Sequence, residues 1–231
     1  MARPSAKKPA ARPASPKPPP KPPMKAARPD DSEHRLVHRL LFFTDAVFAI
    51  AMTLLVLELK PPVAHGAGEL MAALRAMSGH FIAFTMSFFL AGVFWVAHMA
   101  TLRRLEHFDW PTVWANLVFL FAVSLIPFST ALLGEADFGP AAWQIYSVQM
   151  MFTSAANTAL LLVASRDGGR LMDGMTGRER AYRVLRAASP GIAFAVGFGL
   201  TAAGQIGLAH GCWLLIPVIF AIAHVTLGPR K

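Results

Sequence analysis

The sequence predicts an all-α integral membrane protein with six transmembrane helices. Three observations carry that prediction. The chain is 55% hydrophobic and only 15% charged over 231 residues, with a positive mean hydropathy, whereas a soluble domain carries about 25% charged residues. Six apolar runs are each long enough for a hydrocarbon core of about 30 Å, which takes about 20 residues of helix. The basic residues also cluster in alternate connecting segments.

The runs are Arg39–Pro62, Ser78–Thr101, Pro111–Leu133, Ala141–Ala164, Ala187–Gly207 and His210–Leu227. Without water in the bilayer core, backbone groups must pair within each segment. Runs this long and this continuously apolar are helices, not barrel strands. Before them, residues 1–34 form a basic Pro/Ala/Lys-rich tail with ten prolines in its first thirty residues and no apolar signal-peptide core. Such a stretch cannot pack a core and is expected to be disordered. It is a candidate tether to anionic lipid, a partner-binding arm or a solvated spacer. Residues 35–231 are then the transmembrane domain.

Topology follows from the charges. Of the 22 Lys and Arg residues, twenty fall up to Arg39, at Arg103 and Arg104, between Arg166 and Arg186, or at the C-terminus. Only Lys60 and Arg75 fall on the other side. Basic residues flanking spans stay in the cytoplasm, so both termini are expected there. The net charge of +9 is accounted for by topology and implies no nucleic-acid partner. Trp110 and Trp114 mark the inner start of the third span, and Trp143 and Trp213 the outer starts of the fourth and sixth. Thr176 and Glu179 have the spacing of a capping box, which starts the fifth helix before the membrane.

The first span carries an aspartate, Asp45, in its early turns. An acid at that depth is costly and marks a function or a specific partner. On a helix with about 100° per residue, Leu54 and Leu57 lie about 40° and about 20° from Ile50, with Thr53 about 60° to the side and Asp45 about 140° away. Asp45 and the Ile50 stripe thus face different ways, with Asp45 turned into the protein. The donors available to the carboxylate are the Trp95 indole N–H, His98 and Arg39. Trp95 and His98 share a face of the second span. Direct ion contact and a proton relay are the other roles open to Asp45. Arg39 alternatively snorkels to the headgroups.

Arg39, Phe43, Thr44, Asp45, Ala49, Ile50, Thr53, Leu54 and Leu57 resemble the R-x-x-x-F-S-D signature and following apolar stripe of the TMEM175 family of potassium channels. Trp95 with His98, Asp109 with Asn116-Leu117, and Pro127-Phe128 extend the likeness. Thr44 stands where the motif has serine, and Met99 follows His98 where the pattern has a second histidine. The resemblance implies a bacterial member with one six-helix unit per chain, resident in the inner membrane, assembled as a homotetramer around a potassium pore lined by the first helix. It also implies that Ile50, Thr53, Leu54 and Leu57 form the constriction, and that Arg39, Phe43, Thr44, Asp45, Trp95, His98 and Asn116 brace it. Physically, a ring of Ile50 side chains would form an apolar gate that empties of water when narrow.

Other classes are less well supported. Val196-Gly197-Phe198-Gly199 looks like a carbonyl-lined filter, but it lies midway along the fifth span. The ridge Ala195, Gly199, Ala203 and Gly207 reads as a helix-packing surface. The eight histidines are scattered and the lone cysteine, Cys212, has no partner, so no enzyme, metal or cofactor site is expected. A secondary transporter or a proton-permeable leak pathway is the alternative function; the former would call for broken helices and a repeat, neither of which is evident.

Overall fold

The computed structural model describes residues 29–107, 109–166, 172 and 174–228. The tail expected to be disordered lies outside them, apart from its last six residues, which are helical. Among the described residues all the regular elements are helices, with one isolated bridge between Leu105 and Met172. The elements are α1 (Pro29–Leu54), α2 (Ala67–Ala76), α3 (Ser78–Leu102), α4 (Trp110–Ser124), α5 (Ile126–Glu135), α6 (Pro140–Ala164), α7 (Gly177–Ala202), α8 (Ile206–Ala209) and α9 (Leu215–Leu227). They make six helical segments long and apolar enough to cross a membrane: Arg35–Glu58, Ser78–Leu102, Trp110–Glu135, Pro140–Ala164, Gly177–Ala202 and Ile206–Leu227. The chain is thus an all-α, multi-pass membrane protein.

Helix ends follow local chemistry. The first span tightens into a 3-10 turn, Leu55–Glu58, before Pro61 and Pro62, which cannot continue a helix. The short α2 that follows buries none of its residues and was not expected from the sequence. Asp109 caps α4 by accepting the Thr112 amide at 3.2 Å, and Thr176 caps α7 by accepting that of Glu179 at 3.3 Å. Glu179 does not reach back as in a full capping box; its carboxylate pairs with Arg104 and Arg183.

Two prolines interrupt the helical hydrogen bonding of the bundle. Pro127 divides the third span at Leu125 into α4 and α5, and Gln149 of α6 donates to the Ala122 carbonyl there at 2.7 Å. Pro190 lies inside α7 and has no N–H for the Arg186 carbonyl four residues back. Ser189 Oγ donates to that carbonyl at 2.8 Å, and Ser154 Oγ of α6 donates to the next, Ala187, also at 2.8 Å. Side-chain hydroxyls thus supply partners at the break, as a membrane interior requires.

The framework is the α6–α7 pair, closed by α9 on one side and by α4 and α5 on the other. Its interior stacks Trp143, Tyr146 and Phe194. Trp143 is therefore a core residue, 0% exposed, not the interfacial marker its position near a helix start implies; Phe138 and His210 cover it. The expected small-residue ridge meets no other helix of this chain among the described residues. Ala195, Gly199, Ala203 and Gly207 are exposed on this chain, and nothing approaches Gly199 or Gly207. The close approach is at Gly197, where a Cβ would sit 2.6 Å from Cys212 Sγ. Residues 196–199 belong to an unbroken part of α7.

A side chain at Gly197 therefore forces α7 off the Cys212 turn. Gly197→Val is expected to destabilise the folded protein by about 1–3 kcal/mol, and Gly199→Ala to change it by less than about 0.5 kcal/mol. Denaturant titration in detergent micelles measures both.

Candidate functional site

α1 touches the rest of the chain along one stripe: Val37, Leu40, Thr44, Phe48, Ala51 and Leu55 are buried against α3 and α4. The spacing of three and four residues is that of one helix face. From Arg35 onward the other faces of α1 are wholly or partly exposed.

Within this seam lies a continuous polar chain. Asn116 of α4 donates from Nδ2 to Thr44 Oγ1 at 3.0 Å. Its Oδ1 is then the acceptor for His98 Nε2 of α3 at 2.7 Å, which places a proton on that nitrogen. All three residues are at most 1% exposed. The His98 ring stacks on Phe119, with centroids 4.9 Å apart, and lies 6.0 Å from Phe48. Apolar rings thus shield the hydrogen bonds, which are stronger for it.

Beside it, Trp95 Nε1 donates to Asp45 Oδ1 at 3.0 Å. Of the three donors available to Asp45, the structure provides the indole; His98 is engaged with Asn116, and Arg39 is exposed on α1. Asp45 does face away from the Ile50 stripe, but it does not point into the protein as expected. It lies on the exposed flank of α1 next to α3, because the buried seam is narrow and Asp45 is one residue, about 100°, past Thr44. Phe43 is also exposed, at 51%. The site residue most easily missed is Phe119, which has no motif signal and looks like any other apolar residue of the third span.

A separate face, roughly 115° round from the seam, carries Ile50, Leu54 and Leu57, at 58%, 42% and 66% exposure. Thr53 sits among them with its hydroxyl folded back toward the carbonyls of Ala49 and Ile50, 2.9 Å away in each case, so its proton is used within the helix. Leu57 lies in the 3-10 turn, so the stripe ends where the helix tightens. Asp45 and Ile50 are separated by roughly 7.5 Å along the axis. Among the described residues there is no cluster of three or more His, Cys, Asp or Glu that could hold a metal ion.

The chain has relatives among known proteins. Residues 39–127 match the family described as endosomal/lysosomal potassium channel TMEM175. A Streptomyces collinus protein described as a potassium channel is 35% identical over 202 residues, covering 84% of this chain and 95% of its own length. The crystal structure of a lysosomal potassium-selective channel TMEM175 homolog from Chamaesiphon minutus superposes with a TM-score of 0.69 at 26% identity, over 82% of this chain and 98% of that one. A potassium channel variant crystallised with a nanobody fusion shares the fold at 17% identity and a TM-score of 0.58, over 81% of this chain and 92% of its own.

Replacing Asn116 removes the buried polar relay between α1 and α3. Asn116→Leu strands His98 and Thr44 in an apolar seam, and the expected loss is about 1–3 kcal/mol per stranded group. Trp95→Phe strands no buried polar group, since Asp45 is exposed, and removes only part of the Trp95 packing, so it is expected to cost less. Denaturant titration ranks the two.

Proposed function

This chain belongs to the TMEM175 family of potassium channels, and we propose that it forms a potassium-selective, leak-type pore as a homotetramer, with α1 lining the axis and both termini in the cytoplasm. The family is one of channels, not enzymes, and the permeant ion proposed is K⁺. The observation that carries the proposal is the exposed stripe of Ile50, Leu54 and Leu57 on a helix whose neighbouring face, roughly 115° round at about 100° per residue, is locked to α3 and α4. One chain cannot enclose a path for ions, so the stripe must meet copies of itself to do so.

In that assembly, rings of Ile50, Leu54 and Leu57 form a hydrophobic constriction acting as gate and filter. A narrow apolar ring sheds water and closes; a wider one holds water and conducts. Potassium gives up its hydration shell more readily than sodium, so a ring that strips part of the shell favours potassium. Thr53 contributes a hydroxyl oxygen at the same level. Thr44, Asn116 and His98, with Asp45 on Trp95, act by holding the rotation of α1. Phe43 and Arg39 complete the motif on the exposed flank and at the helix entrance.

Reconstituted protein is expected to pass K⁺ down its gradient at channel rates, more readily than Na⁺ and without a coupled solute. Flux of only tens to hundreds of ions per second, tied to a proton or solute, would identify a transporter instead. Ile50→Asn is expected to hydrate the ring, raising Na⁺ flux relative to K⁺ by about tenfold, equivalent to about 1.4 kcal/mol of discrimination lost. Isotope or dye-coupled liposome flux reads both.

A further inference from the structure

Away from α1, a cavity of about 400 Å³ opens at the end of the bundle where α3 and α9 finish and α7 begins. Arg104, Thr176, Arg178, Glu179, Tyr182 and Arg183 line it. Among the described lining residues three guanidiniums accompany one carboxylate. The carboxylate is itself covered: Glu179 Oε1 accepts from Arg104 at 2.9 Å and from Arg183 at 3.1 Å. Arg183 is anchored again through Nη1 to the Ala100 carbonyl at 2.9 Å.

Arg178 is differently placed. Its Nη2 donates to the Thr226 carbonyl at 3.0 Å, which ties the guanidinium to the end of α9 through one of its five donors. The Tyr182 ring is held under the Arg186 guanidinium at 5.6 Å and beside His224 at 6.3 Å. Thr176 caps α7 here, so the positive end of that helix faces the same space. Each wall of the cavity is thus fixed by contacts of its own, and among the described lining residues guanidiniums outnumber carboxylates.

The location adds a second constraint. The cavity lies where three membrane-length helices have their ends, and Leu227 gives it an apolar side. Arginines fixed in this way suit an anion with several acceptor oxygens, phosphate above all. Basic recesses between transmembrane helices are suited to anionic headgroups for the same reason.

We propose that this cavity binds a phosphate group, either as the headgroup of an anionic phospholipid or as a soluble phosphate. Native mass spectrometry of the full chain, with phosphatidylglycerol, phosphatidylcholine or inorganic phosphate added to the detergent, tests it and separates the sources. Retention of phosphatidylglycerol over phosphatidylcholine, unaffected by inorganic phosphate, identifies the lipid. Thermal stabilisation by inorganic phosphate, with loss of phosphatidylglycerol adducts in its presence, identifies the soluble ion. In either case Arg178→Gln, which leaves Arg104, Glu179 and Arg183 paired, is expected to weaken binding about tenfold, the size of one charge-assisted hydrogen bond, while Arg178→Lys keeps most of it. The N-terminal basic residues are unchanged in every variant, so a difference reports the cavity. Arg178→Gln protein that binds both phosphatidylglycerol and inorganic phosphate as the native chain does would overturn the proposal. So would native protein that holds phosphatidylcholine as tightly as phosphatidylglycerol without responding to inorganic phosphate. Neither readout involves K⁺ flux, so the result stands apart from the pore.

Discussion

The pore we propose depends on the rotation of α1, and the hydrogen bond from Asn116 to Thr44 suits one setting of that rotation. In a hydrocarbon interior a polar side chain has no water to turn to. Thr44 meets Asn116, and Asn116 meets His98, in one rotational setting of the helix only. Turning α1 by one residue, about 100°, would carry Thr44 away and leave the amide without its acceptor. Phe48 enforces the same setting by packing against His98 and Phe119 one turn along. The face presented by Ile50, Leu54 and Leu57 is therefore a consequence of what is buried beside it.

The rest of the bundle is built to a different rule. α6 and α7 are packed by large aromatic groups, and the backbone groups disturbed by Pro127 and Pro190 are met by Gln149, Ser154 and Ser189. These polar contacts keep interrupted helices tolerable in lipid. The result is a well-supported framework to which α1 is attached along a single seam. An element held on one face with an exposed apolar stripe on another is suited to pairing with its own copies, which is the basis for the tetrameric pore proposed above.

Much of this was legible in the sequence where the physics is one-dimensional. Length and apolarity locate the spans, and helical periodicity separates Asp45 from the Ile50 stripe. The family resemblance carried by Arg39 to Leu57 proved to be membership. What failed needed a third dimension. Trp143 lies near a helix start, as belt residues do, but the α5–α6 turn folds Phe138 over it. The small residues at Ala195, Gly199, Ala203 and Gly207 have the spacing of a packing ridge, yet the face that meets Cys212 is that of Gly197. Asp45 was expected to be enclosed because a membrane acid usually is; α1 is too shallowly embedded to do so in one chain. Partner choice was also hidden, since nothing in the sequence distinguishes Trp95 from His98 as the donor to Asp45. The cavity at Arg178 joins residues far apart in the chain, from Arg104 just past α3 to Leu227 at the end of α9, and has no local signature.

The central claim is that the exposed face of α1 borders the ion path. Its most direct measurement is block of K⁺ flux by a charged, water-borne thiol reagent, in liposomes carrying Ile50→Cys in a background where Cys212 is replaced by Ser. Block at Ile50→Cys, with no block at Val225→Cys on the exposed outer face of α9, is the result predicted. Unaltered flux after confirmed labelling of Ile50→Cys, or equal block at both positions, would contradict it.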